Sequence, residues 1–186
     1  MNPKFVINYS EFRVIEELTK YFSRKDGFVI LIPTSLQNKG FDVVIFNSKT
    51  DRGVKIQVKG GRSFSTNRGE RNRGLGNYVI WHSNFLFHKG IVDFDTDWVV
   101  IHATVPVPSS LLHPKKKNVW NDIFFLVRKE KLLDFLHEDK EKTHYRIYFN
   151  LDEGGNVVTA SSFDKTDKLQ YLFENQVEQL RNEIEA

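Results

Sequence analysis

Two short apolar runs carry polar groups where a strand would otherwise be uniformly hydrophobic. Gly40-Phe41-Asp42-Val43-Val44-Ile45-Phe46 sets a carboxylate at the head of a Val/Ile segment. Gly53-Val54-Lys55-Ile56-Gln57-Val58-Lys59-Gly60 sets an amide and an ammonium two residues apart. Strands this rich in Val and Ile are normally buried on both faces, so polar groups at their ends need a reason. Side chains alternate along a strand, which puts Gln57 and Lys59 on one side and Ile56 and Val58 on the other. Pairing of the two runs as a hairpin brings Asp42 near Gln57. A second carboxylate comes from the N-terminal region. Glu11 lies in the middle of a stripe formed with Val14, Ile15, Leu18 and Phe22 at helical spacing. A carboxylate facing a core is costly unless something pairs with it. If that helix packs over the hairpin, two carboxylates, an amide oxygen and an ammonium meet at a sheet edge. Oxygen donors of this kind suit Mg²⁺ or Mn²⁺ beside a phosphate. The chain has no cysteine, and its six histidines show no ligand spacing, so nothing competes for a zinc reading.

The elements that must position these groups follow from periodicity and turn chemistry. Residues 10–24 read as an amphipathic helix, with Ser10 as N-cap and Gly27 just past its end. Strands follow at 27–32, 41–47 and 54–59. The polar run Ser48–Gly53 serves as the hairpin turn between the last two. Residues 60–76, rich in Gly, Arg, Ser and Asn, read as a long basic mobile loop, with a plain solvated segment as the alternative. The segment 78–90 fits strand or helix equally. Strands are expected at 97–105, 123–127 and 145–149, and a short helix at 129–138 with Leu132, Leu133 and Leu136 inward. An amphipathic helix at about 165–185 closes the chain, packed on its own domain or, alternatively, on a second copy. Trp81, Trp98 and Trp120 read as core or half-buried packing. The expectation is one α/β domain spanning 1–186 with a mixed sheet.

This arrangement resembles the PD-(D/E)XK nuclease superfamily, the restriction-endonuclease-like fold. The likeness rests on Glu11 in the first helix, Asp42 in Gly-Phe-Asp and the triplet Gln57-Val58-Lys59, and covers residues 10–60 best. It implies an αβββαβ core whose central mixed sheet is flanked by helices. It also implies hydrolysis of phosphodiester bonds in nucleic acid, DNA rather than RNA, by an endonuclease of restriction or repair type. The implied metal, Mg²⁺ or Mn²⁺, would be held by Asp42, the Gln57 oxygen, the Val58 carbonyl and Glu11, with Lys59 positioning the attacking water. Phe41 stands where the family has proline. Gln57 stands where it has an acid, and a neutral oxygen lowers metal affinity. The second reading is therefore a catalytically inactive module of the same fold that binds nucleic acid or a protein partner.

Charge distribution bears on the partner. The net charge is only +3, yet Lys55, Lys59, Arg62, Arg68, Arg71 and Arg73 face a single Glu70 between residues 55 and 73. Such a local basic footprint attracts a polyanion, and Lys55, Arg62, Arg68, Arg71 and Arg73 are the candidate nucleic-acid contacts. Their phosphate contacts would be largely independent of sequence and sensitive to salt. No apolar run approaches the roughly 20 residues that span a bilayer. The first residues lack the apolar core of a signal peptide, and cysteine is absent. The expectation is a soluble, cytoplasmic protein without a membrane partner; a homodimer with two sites would suit cleavage of both strands of a duplex.

Overall fold

The computed structural model describes residues 8–33, 40–65, 77–83, 95–106, 120–138, 144–152, 155–161 and 168–186. The first helix, α1, spans Tyr9–Tyr21. Its N-cap is Asn8, not Ser10: the Asn8 Oδ1 accepts the Glu11 N–H at 2.9 Å, and Ser10 lies inside the first turn. Both residues have the chemistry of a cap. Asn8 takes the role because its amide also donates to the Glu11 carboxylate, satisfying both partners of the first turn. Gly27 does not end α1. It closes a separate 3₁₀ turn, Arg24–Asp26, at φ 96°, a conformation glycine reaches without strain.

Five strands then form a mixed sheet in the order β1 (Phe28–Leu31), β2 (Val43–Asn47), β3 (Arg52–Ser65), β5 (Trp98–Pro106) and β6 (Trp120–Arg128). The hairpin of β2 and β3 is antiparallel, as the polar turn predicts, with Asp51 at φ 58° in that turn. The pairing of β3 with β5 is parallel, from Ile56 opposite Trp98 to Arg62 opposite Thr104. The remaining pairings in this sheet are antiparallel.

Strand β3 corrects the expected loop at 60–76. It runs on through Gly60-Gly61-Arg62 to Ser65, because β5 supplies partners for 60–62 and β4 (Asn77–Ser83) for 63–65. The rest of that segment, 66–76, lies outside the described residues, as does 84–90. Where the 78–90 segment is described, it is strand. The far end of β3 thereby joins a second, antiparallel layer. There β4 pairs with β8 (His144–Leu151), which also pairs with β7 (His137–Glu138) and β9 (Val157–Ser161).

The central strands of the first sheet are covered on both faces. On one, Val14 and Leu18 of α1 and the following Phe22 meet Ile45, Ile56, Val58, Trp98, Val100 and Phe124. Phe173, Val177, Leu180 and Ile184 of the last helix, α3 (Phe173–Glu185), share that cluster. The stripe of α3 is thus covered by this chain's own sheet. The helix begins eight residues later than the pattern suggests, after a 3₁₀ turn at Leu169–Tyr171. On the other face, Val99, Ile101, Phe125 and Val127 pack against Phe149 and against Leu132 and Phe135 of the single-turn helix α2 (Leu132–Phe135). Burying a side chain of this size contributes about 1.5–3 kcal/mol. Leu133, expected inward, is 58% exposed. The helix is one turn long, so only its ends, Leu132 and Phe135, reach the core.

The α/β class and mixed sheet agree with expectation. Among the described residues, the crossover from β3 to β5 carries strand β4 and no helix. No helix among them is long and apolar enough to cross a membrane.

Candidate functional site

The site forms where β2 and β3 part. Their ladder ends with Val43 opposite Ile56. One step further, the Asp42 N–H still donates to the Ile56 carbonyl at 2.8 Å. Its carboxylate then takes the place of the next backbone acceptor: Oδ2 accepts the Val58 N–H at 2.7 Å. Asp42 is thereby fixed by the backbone of the strand that carries Gln57 and Lys59. Two residues before Asp42, Gly40 has φ 125°, and a Cβ there would lie 2.8 Å from the Asp95 nitrogen.

Gln57 is buried. Its Nε2 donates to Asp42 Oδ2 and lies 3.4 Å from the Val58 carbonyl oxygen. Carboxylate and carbonyl are acceptors only, so the NH₂ end of the amide is the end that can face both. Two oxygens therefore converge on the point this nitrogen occupies. Glu11 faces the same space from the first turn of α1. Together with Asn8, Tyr9, Ser10, Lys59 and Gly60, these residues line an open cleft of about 470 Å³.

Helix α1 approaches β3 closely because position 60 is glycine. A Cβ there would lie 1.8 Å from Ser10 Oγ, an impossible contact. Gly60 is thus what lets the first turn, and Glu11 with it, reach the strand.

The charges in the cleft are held under stress. Burial pushes the Asp42 carboxyl above its ordinary range, against the Val58 N–H and the Lys59 charge, which pull it down. Glu11 is also raised, first by burial and then by the Asp42 charge, with Asn8 and Lys59 opposing. Burial lowers Lys59, against the pull of Asp42 and Glu11. Perturbed groups gathered in a cleft mark a candidate functional site.

The four residues the sequence singles out, Glu11, Asp42, Gln57 and Lys59, are therefore brought together. The basic candidates are not. Lys55 sits outside the cleft and donates to both oxygens of Asp95 at 2.8 Å. Arg62 is exposed further along β3, over the Trp120 ring. Arg68, Arg71 and Arg73 lie outside the described residues.

One polar cluster escapes sequence reasoning. His102 is fully buried, stacked on Phe124 at 4.9 Å, and its Nε2 meets Asp122 Oδ1 at 2.8 Å. Asp122 Oδ2 accepts from Arg13 Nε at 2.8 Å. Burial lowers the His102 pKa, with Asp122 opposing. Nδ1 has no hydrogen-bond partner among the described residues. The cluster supports α1 from behind the cleft, because Arg13 ties the helix to β6. The only sequence signal for it is a histidine inside an apolar strand.

The donor set fits a hard divalent cation. Asp42, Glu11, the Val58 carbonyl and the Gln57 oxygen are all oxygen donors, and Mg²⁺ commonly binds through one or two carboxylates while keeping several waters. For Gln57 to join as a ligand, its oxygen must face the point where its nitrogen now sits. Among the described residues there is no group of three or more His, Asp and Glu side chains that could hold a metal, so the amide and the carbonyl are essential to the set. Neither the protein-family models nor the curated proteins include a match to this chain.

Proposed function

We propose that this protein is a metal-dependent nuclease of the PD-(D/E)XK type, acting on phosphodiester bonds, with DNA as the favoured substrate. The observation that carries the reading is the convergence of Asp42 Oδ2 and the Val58 carbonyl on one point, with Glu11 and Lys59 around it. The order α1, β1, β2, β3 and the antiparallel β2–β3 hairpin support the fold likeness. Asp42, Glu11, Val58 and Gln57 would hold Mg²⁺ or Mn²⁺. When bound, the ion stabilises negative charge on the scissile phosphate and lowers the pKa of water. Lys59 Nζ, half-buried beside the two carboxylates, would hold the attacking water and counter charge on the phosphate oxygens. Asn8 holds Glu11 in place by accepting its N–H and donating to its carboxylate.

A second reading has its own support. The Gln57 amide already satisfies Asp42 without a cation, as suits an inactive module of this fold that binds nucleic acid or a protein partner. Calorimetry with Mn²⁺, paired with a plasmid-cleavage assay, separates the two. Under the nuclease reading the wild type binds the ion and cleaves, and Asp42→Asn does neither. Absent ion binding in the wild type, with DNA binding retained, would establish the inactive module instead.

A further inference from the structure

Beyond the first turn of α1, the sheet face that the helix covers comes into the open. Alternation and register place Gly60 and Arg62 of β3, His102 and Thr104 of β5, and Asp122 and Trp120 of β6 on that face. His102 is buried beneath the Tyr9 ring, 5.8 Å between centroids. Outward from it the face carries exposed groups. Trp120 is 46% exposed and Tyr9 58%. The Arg62 guanidinium carbon lies 5.8 Å from the centre of the Trp120 ring. The Tyr9 hydroxyl is 3.5 Å from Asp122, whose charge is countered by Arg13. Tyr9 and Gly60 also line the cleft, so this surface begins at the cleft wall.

We propose that Tyr9, Trp120 and Arg62 form a stacking platform for the unpaired bases of a single-stranded nucleic acid whose backbone enters the cleft at Lys59. The proposal rests on the nuclease reading and narrows its substrate class. Exposed aromatic rings offer faces on which any base stacks, and a guanidinium adds both stacking and phosphate contact. Bases inside a duplex have their faces covered by neighbours and gain nothing from such rings. The platform therefore selects single strands, overhangs or frayed ends without reading sequence.

Fluorescence anisotropy on the full chain in EDTA tests this without hydrolysis, using a labelled oligothymidine and a labelled duplex. The oligothymidine binds more tightly than the duplex. Trp120→Ala weakens oligothymidine binding by roughly tenfold or more, Tyr9→Ala weakens it less, and Trp120→Phe keeps most of the affinity. Tighter binding of the duplex, or an unchanged oligothymidine affinity in Trp120→Ala, overturns the platform and leaves the nuclease reading standing. Failure to bind either nucleic acid, together with no Mn²⁺ binding, overturns both.

Discussion

At the start of β3, Arg128 donates to Glu130 at 3.0 Å and to Glu183, and lies 5.4 Å over the Trp98 ring. The buried Trp98 Nε1 donates to the same Glu183 at 2.9 Å. A few residues along the same strand, where β2 departs, Asp42, Glu11 and Lys59 share the cleft. Both clusters are open to solvent and mix acids with bases. In the first, hydrogen bonds to Glu130 and Glu183 hold the Arg128 pKa up despite burial, and Glu130 is held down, first by its own backbone N–H. In the second, burial is the largest influence on all three groups and works against each charge. Two carboxylates there face one ammonium. The Arg128 cluster has the same two-to-one count, but there hydrogen bonds support the charges of Arg128 and Glu130. In the Asp42 cluster burial opposes both carboxylates, and a divalent cation would relieve them.

The contrast breaks most sharply under paired substitution. Asp42→Asn should lower Mn²⁺ affinity by about a hundredfold or more, since even outer-shell changes at metal sites cost 10–100-fold. It should leave unfolding stability equal or higher, because a buried charge is removed while an oxygen remains for the Val58 N–H. Glu183→Ala should do the reverse. It strands the buried Trp98 donor and lowers unfolding free energy by about 1–3 kcal/mol, with the Mn²⁺ isotherm unchanged. Equal destabilisation by both variants in urea titrations would erase the distinction.

Gly60→Ala tests whether the cleft depends on the approach of α1. A methyl group placed 1.8 Å from Ser10 Oγ forces the first turn away, at an expected 1–3 kcal/mol (roughly, as for overpacked cores). Thermal unfolding and Mn²⁺ affinity should fall together, because Glu11 moves with Ser10. Adding Ser10→Gly should restore both. Gln57→Glu sharpens the charge argument. A third carboxylate should raise Mn²⁺ affinity by about tenfold while lowering the stability of the metal-free protein, since like charges would then crowd the same corner.

Much of the cleft is legible in the sequence because its signals are local. Asp42, Gln57 and Lys59 stand out from period-two strands joined by a short polar turn, and Glu11 from a period-3.6 stripe. The continuation of β3 is not legible, because Gly60-Gly61-Arg62 has the composition of a loop. It becomes strand only through β5, some forty residues away. The His102–Asp122 pair is hidden for the same reason, since it needs the register of β5 against β6 across a segment of unrelated composition. The substitution of Asn8 for Ser10 as cap turns on a side-chain bond to Glu11 that spacing alone does not favour over its rival. Local periodicity thus picks out the polar groups of the cleft, whereas the long-range pairings that support them depend on the assembled sheet.

The smallest expected effect is a pH dependence of stability confined to the cleft. Asp42 and Glu11 have folded-state pKa values above their unfolded ones, near 3.8 and 4.5. The native state therefore binds more protons than the unfolded chain through the interval above about pH 4, and stability falls with rising pH there. Their favourable contribution is fully present below the unfolded pKa values and is lost as pH rises through the raised folded ones. Glu11 is the more exposed of the two, so its share is reduced by solvent screening. Lys59, lowered by burial, acts at the alkaline end. Its penalty applies while it is charged in the folded state and lifts as pH climbs toward its unfolded value, so it leaves the acidic window unaffected. Urea unfolding of wild type and Asp42→Asn across weakly acidic to neutral pH isolates the main contributor. The wild type should lose stability relative to the variant as pH rises, and saturating Mn²⁺ should reverse the trend, because the ion binds the deprotonated carboxylates of the folded state alone. A difference between the two proteins that stays constant with pH would mean that burial does not oppose the Asp42 charge, and that the cleft does not differ in this respect from the cluster around Arg128.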